Sequence, residues 1–139
     1  MNVSLLHFLS CTGLVLVGSA LLEAEEPLTI GGVHGGLVVQ VGADESDAAA
    51  RLSRTGRYLI HLLDIASSTV EKAQKSLRSD GIYGLASAEA LAAPGHLPYA
   101  ENVVNAVMLQ SLGEMPLSEV FRILTPGGAL LVAPSIGLK

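Results

Sequence analysis

Leu37-Val38-Val39-Gln40-Val41-Gly42 decides how this chain folds. The run is apolar apart from Gln40, and glycines flank it at Gly35, Gly36 and Gly42. It is long enough for a strand buried on both faces and too short for a helix. The chain downstream repeats that kind of unit. Residues 46–55 are rich in Ala and carry Leu52, and Gly56 stands where a helix C-terminus favours left-handed backbone. Residues 58–63 form a second apolar run, closed by Asp64. Ser68-Thr69-Val70-Glu71 reads as a capping box, followed by Val70, Ala73 and Leu77 at helical spacing and by the i,i+4 pair Glu71/Lys75, with Asp80-Gly81 as the stop. A weaker strand is expected over 85–88, then a loop with Pro94, Gly95 and Pro98, then a fourth strand over 103–109. Pro116 suits the first turn of a helix with Leu117, Val120, Phe121 and Leu124 on one apolar face. Thr125-Pro126-Gly127-Gly128 ends that helix before a fifth strand over 129–133. Apolar runs separated by helical patterns mean βαβ units, and right-handed crossovers make the expected fold an α/β, doubly wound parallel sheet.

Composition narrows what such a domain does. A chain of 139 residues has room for one domain, and half of it is apolar, which excludes a disordered tail. Net charge is −5, the first basic residue is Arg51, and no Lys/Arg cluster follows, so no nucleic-acid partner is expected. Two Phe, three Tyr and no Trp leave little to build a stacking platform. The single cysteine, Cys11, rules out an internal disulfide, and His7, His34, His61 and His96 lack metal-ligand spacing.

The first 22 residues carry no formal charge, with apolar runs over 3–9 and 13–22, before Glu23, Glu25, Glu26 and Pro27 arrive together. Residues 1–24 are therefore expected to be a signal peptide or membrane anchor, residues 25–36 a linker, and residues 37–139 the folded domain. The corresponding localisation is export, either periplasmic or membrane-anchored; the alternative is a cytoplasmic protein whose N-terminal segment is a buried helix.

In a doubly wound sheet the ligand crevice lies beyond the carboxyl ends of the strands. That points to residues 42–46, 64–66, 89–93 and 109–112. Asp64 follows Gly42 by 22 positions, a spacing that suits a carboxylate accepting hydrogen bonds from two ribose hydroxyls; the other reading is an Asp that caps the next helix. Gly42 lets a nucleoside approach the backbone, or simply makes a tight turn. The turn reads Gly42-Ala43-Asp44-Glu45-Ser46, with acids where a helix N-terminus otherwise favours an anionic group. Glu89 suits an adenine or ribose contact, or is a solvated loop residue; Leu109 suits a cofactor wall, or is core. No G-x-S-x-G elbow and no oriented histidine is visible, so any chemistry is the cofactor's.

The order of parts resembles a class I S-adenosylmethionine-dependent methyltransferase of the type 11 kind. The segment Leu97-Pro98-Tyr99-Ala100-Glu101-Asn102-Val103-Val104-Asn105-Ala106-Val107-Met108 is similar to that family's run into strand four. Glu119-Val120-Phe121-Arg122-Ile123-Leu124-Thr125-Pro126-Gly127-Gly128 resembles its approach to strand five. The match covers residues 35–133. Its phrasing is closest to methyltransferase-like domains at the front of exported bacterial proteins that continue into a PQQ-type β-propeller, through Gly36-Leu37-Val38-Val39, Tyr58-Leu59-Ile60-His61, Val70-Glu71-Lys72-Ala73, Ile82-Tyr83-Gly84 and Leu97-Pro98-Tyr99.

The resemblance implies a Rossmann-like domain with S-adenosylmethionine as cofactor. Gly42 would lie against its methionyl part and Asp64 on its ribose, with Glu89 and Ala90 near the adenine and Leu109 beside the sulfonium. The implied cofactor-binding set is Gly42, Ala43, Asp44, Asp64, Ile65, Glu89, Ala90 and Leu109, with no catalytic side chain and no metal. Three departures stand out: Gln40 replaces an acidic residue, Asp44 and Ser46 replace turn glycines, and the sixth and seventh strands are missing. A propeller domain or another partner covering the open sheet edge is therefore expected. Two functions fit, methyl transfer to a small acceptor or a catalytically degenerate cofactor-binding or docking module. A different dinucleotide binder is disfavoured by the missing G-x-G-x-x-G.

Overall fold

The computed structural model describes residues 28–136. The expected signal or anchor over 1–24 lies outside the described residues, as do His7 and Cys11. The elements are β1 (Gly36–Val41), α1 (Asp47–Ser53), β2 (Tyr58–Asp64), α2 (Ser67–Ser79), β3 (Ala86–Ala90), β4 (Val104–Leu109), α3 (Leu117–Ile123) and β5 (Leu124–Val132). The strands form one sheet in the order β3-β2-β1-β4-β5, and every pairing is parallel. The doubly wound α/β expectation therefore holds.

β1 lies at the centre, paired with β2 on one side and β4 on the other, and its residues from Val38 to Val41 are buried. This is why the run shows no alternation: both faces need apolar cover. On one face, Val38, Ile60, Leu62, Ala86 and Ala88 pack with α1 and α2 through Ala49, Leu52, Val70, Ala73 and Leu77. On the other, Val39, Val41, Leu63, Val107 and Leu109 pack with Leu97 and with Val120 and Ile123 of α3. Among the described residues no helix is long and apolar enough to cross a membrane.

Four local expectations are corrected. The capping box does not form: α2 starts at Ser67, with Ala66 as its N-cap and no side-chain cap bond. Instead Asp64 Oδ1 accepts the Ala66 amide at 2.9 Å, so the carboxylate from the preceding strand serves the helix entry. β3 spans Ala86–Ala90 rather than 85–88, and Leu85 is exposed before it. In α3 the buried residues are Val120 and Ile123, while Phe121 is 59% exposed and Leu124 already belongs to β5. β5 begins before the glycine pair because Thr125-Pro126-Gly127-Gly128 is absorbed as a bulge. Leu124 pairs with Val104 and Ala129 with Ala106, so the extra residues loop out between them, with Gly127 at φ +78°. Pro126 has no N–H to offer a ladder, and a bulge asks for none.

Candidate functional site

Chain order runs β1-β2-β3 to one side of the sheet and β4-β5 to the other, so direction reverses between β1 and β4. Connections leave in opposite senses there, which opens a crevice at the carboxyl ends. A cavity of ≈ 270 Å³ occupies that place. Gly42 ends β1 into it, Asp64 and Ile65 close β2 beside it, Leu91 and Pro94 wall it after β3, and Ser111 to Met115 wall it after β4. Its sides are mostly apolar, and Asp64 and Glu114 are its charged residues.

Gly42 is required by close approach. It is buried at φ +95°, and a Cβ there would stand 2.9 Å from Ser111 Oγ and 3.1 Å from Ser111 N. The crossing is stitched by backbone bonds: Gly42 N donates to Leu63 O at 2.8 Å, and Gln110 N and Ser111 N both donate to Val41 O.

Asp64 is fixed by two amides. Oδ2 accepts Ala43 N and Oδ1 accepts Ala66 N, each at 2.9 Å. One carboxylate therefore ties the β1–α1 turn to the β2–α2 turn, and each oxygen keeps a further lone pair for a donor in the cavity. Ribose contact and helix capping are thus compatible roles for this residue. Behind the turn, buried Gln40 donates through Nε2 to Gly42 O and Glu45 O at 2.9 and 2.6 Å.

Of the residues singled out by sequence, Gly42, Asp64 and Ile65 line this cavity. Ala43 and Asp44 sit on the α2 side of the same turn, around a second depression of ≈ 180 Å³ with Ser46, Thr69, Lys72 and Ser76. Glu89 and Ala90 are exposed on β3, and Leu109 is fully buried in the core; none of the three lines the cavity. Leu91, Ser111 and Leu112 fall within strand-end segments that the sequence marked, whereas Pro94, Glu114 and Met115 lie beyond them. They are found only once the loops are folded back.

A histidine also acquires partners that the sequence did not reveal. His61 on β2 pairs through Nδ1 with the Tyr99 hydroxyl, their rings edge to face at 5.9 Å, and its Nε2 lies 3.6 Å from Glu89 Oε2. Burial lowers the His61 pKa, with Glu89 pulling the other way. Burial, then Glu89, pushes the Tyr99 hydroxyl upward. The loop that brings Tyr99 is gripped by α3. Glu119 accepts Leu97 N at 2.8 Å and pairs with Arg122 at 2.6 Å and His96 at 2.8 Å, while Arg122 donates to Tyr99 O and Leu97 O. The Arg122 hydrogen bonds hold the Glu119 pKa down at about 2.

No family model and no curated protein matches this chain. Solved structures do. The [4+2]-cyclase SpnF is 28% identical, with a TM-score of 0.62 over 70% of this chain and 38% of that one. Geranyl diphosphate C-methyltransferase from Streptomyces coelicolor, solved with Mg2+, geranyl diphosphate and S-adenosyl-L-homocysteine, is 16% identical, with a TM-score of 0.62 over 70% and 39%. A SAM-dependent methyltransferase from Aquifex aeolicus is 19% identical, with a TM-score of 0.53 over 66% and 52%. The fold is that of the class I methyltransferases. The chain spans between about two fifths and half of the length of these three structures.

Proposed function

We propose that this domain binds S-adenosylmethionine in the cavity between β1 and β4 and transfers its methyl group to a small acceptor. The observation that carries the reading is the placement of Asp64. A carboxylate at the end of β2 is held by two amides with lone pairs to spare, beside a glycine-lined crossing and apolar walls. Its free lone pairs suit the ribose hydroxyls, and Ile65, Leu91 and Met115 offer apolar surface to the adenine. Bound there, the cofactor supplies an electrophilic methyl on its sulfonium; the chain's part is to hold and orient it and to exclude water. Ala43 and Asp44, on the α2 side of the same turn, belong to this reading as the backbone behind the methionyl end, with Glu89 and Ala90 at the tip of β3 as outlying members and Leu109 as core behind the cavity.

Titration calorimetry with S-adenosylhomocysteine tests this. Micromolar binding is expected, weakened at least tenfold by Ile65→Arg, which changes a residue that is 66% exposed and leaves the fold intact. Absent or millimolar binding by the unaltered chain contradicts it.

A second reading, a non-catalytic module on the same fold, is favoured by the acids Asp44 and Glu45 on the turn. A radiolabelled methyl-transfer assay over a panel of small acceptors separates the two, because the module binds without turnover. Export belongs to the proposal as well, supported by the uncharged run over 1–22, together with a propeller domain or another partner against β5, an edge strand of the sheet among the described residues. N-terminal sequencing of the cell-envelope form checks the first, and co-purification from that fraction checks the second.

A further inference from the structure

The turn that follows β4 brings a second carboxylate to the cavity. Met115 N donates to Leu112 O at 3.0 Å, which closes a tight turn over Leu112-Gly113-Glu114-Met115, and Gly113 supplies the positive φ of +55° at its first corner. Met115 is buried and Leu112 half-buried against the core beneath, so both ends of the turn are anchored. Glu114 is therefore held at the tip, lining the cavity with its side chain exposed. The loop after β3 meets it there: a Cβ added to Gly95 would stand 4.0 Å from Glu114 O, which sets Pro94 beside the same turn. Among the described residues no salt bridge engages the Glu114 carboxylate, and no Lys, Arg or His lines the cavity. The two amides that hold Asp64 carry dipoles and no net charge. Two carboxylates thus face one mostly apolar space, and a bound sulfonium balances only one of them. Apolar walls screen the remaining negative charge poorly.

We infer that the acceptor is an amine with an apolar body, bound as its ammonium by Glu114. The inference rests on the proposed function and narrows its small acceptor to one chemical class. A cationic acceptor neutralises the charge left over in the cavity, whereas a carboxylate or phosphate of the same shape adds to it and is repelled. Pro94 and Leu112, on either side of Glu114, offer apolar surface to the acceptor's body. Glu114 is exposed, so the bound ammonium can give one proton to water at the mouth of the cavity. The nitrogen lone pair then forms the N–C bond to the methyl group, and the electron pair of the broken C–S bond stays on sulfur. The products are a protonated N-methylamine and S-adenosylhomocysteine.

The test uses the full chain and three probes of one shape: benzylamine, benzyl alcohol and benzoate, which are cationic, neutral and anionic at neutral pH. Chemical-shift titration of the chain saturated with S-adenosylhomocysteine reads their binding, and radiolabelled S-adenosylmethionine reads where the methyl goes. Benzylamine is expected to bind at least tenfold more tightly than benzoate, with benzyl alcohol between them and the gap narrowing as salt is added. Glu114→Lys, a change at an exposed turn tip, is expected to reverse the order so that benzoate binds better than benzylamine. Equal binding of the three probes, an order that Glu114→Lys does not move, or label transferred to benzoate overturns the inference. When S-adenosylhomocysteine binds and the preference for the amine is missing, only this inference falls. When the unaltered chain does not bind S-adenosylhomocysteine, the functional reading itself has failed and the acceptor class falls with it.

Discussion

The β1–α1 turn and the loop over residues 96–102 are both strapped down by side chains bonding to backbone, yet they end in different states. In the loop, Glu119 and Arg122 spend their bonds inside the protein: on each other, on Leu97, on Tyr99 and on His96. In the turn, Asp64 spends one lone pair per oxygen on amides and faces a cavity with the rest. Polar capacity left over at the mouth of a preformed cavity distinguishes a binding element from a brace. The sequence is richest in recognisable words at the brace and poorest at the turn, so the specificity of a motif does not locate the chemistry.

Breaking the brace has the largest effect. Glu119→Ala leaves the Leu97 amide without its acceptor and takes the carboxylate from Arg122, which keeps Tyr99 O and Leu97 O, and a loss of about 2 kcal/mol in urea denaturation is expected. Affinity at the cavity should change less than about threefold in the same variant, since the walls from β1 and β2 are untouched. A loss of stability below about 1 kcal/mol shows that the brace is ornamental.

Acid sharpens the same contrast. The folded-state pKa of Glu119 is depressed to about 2 from 4.5, so its contribution is present above pH 4.5 and is lost as pH falls through about 2. The urea midpoint should drop across that window in the unaltered chain and drop less in Glu119→Gln.

Asp64→Ala reverses the balance between stability and binding. It takes the acceptor from two amides, one on buried Ala43 and one on half-buried Ala66, costing about 1–2 kcal/mol, while affinity for S-adenosylhomocysteine falls at least tenfold. Equal affinity in this variant removes Asp64 from the site. The smallest expected effect is at the turn surface: Asp44→Gly with Ser46→Gly takes away one negative charge and two side chains and should tighten binding about threefold. No change there clears the turn acids of any part in affinity.

The sheet was legible because its signal is local. Both-face burial writes itself as apolar runs at 37–41, 58–63 and 103–109, each broken by a single polar residue (Gln40, His61 and Asn105), and glycines flank the first. Features that depended on partners remote in sequence were not. Ser68 looked like a cap, but Asp64 reached the helix entry from the strand before it. Thr125-Pro126-Gly127-Gly128 looked like a stop, but β4 could pair on both sides of it, making a bulge. For the site, Gly42, Asp64 and Ile65 were legible as strand ends. Pro94, Glu114 and Met115 were not, because loop residues reach a cavity by tertiary packing that no spacing encodes. Likewise His61 looked isolated until Tyr99, 38 residues away in sequence, came down on its ring.

Amide chemical-shift mapping during titration with S-adenosylhomocysteine tests the contrast most directly. Saturable shifts at Gly42, Ala43, Ile65 and Ser111, with residues 97–102 and 119–122 unmoved, are the predicted result. Shifts centred on the Leu97–Tyr99 brace, or none that saturate at Gly42 and Ile65, contradict the placement of the ligand between β1 and β4.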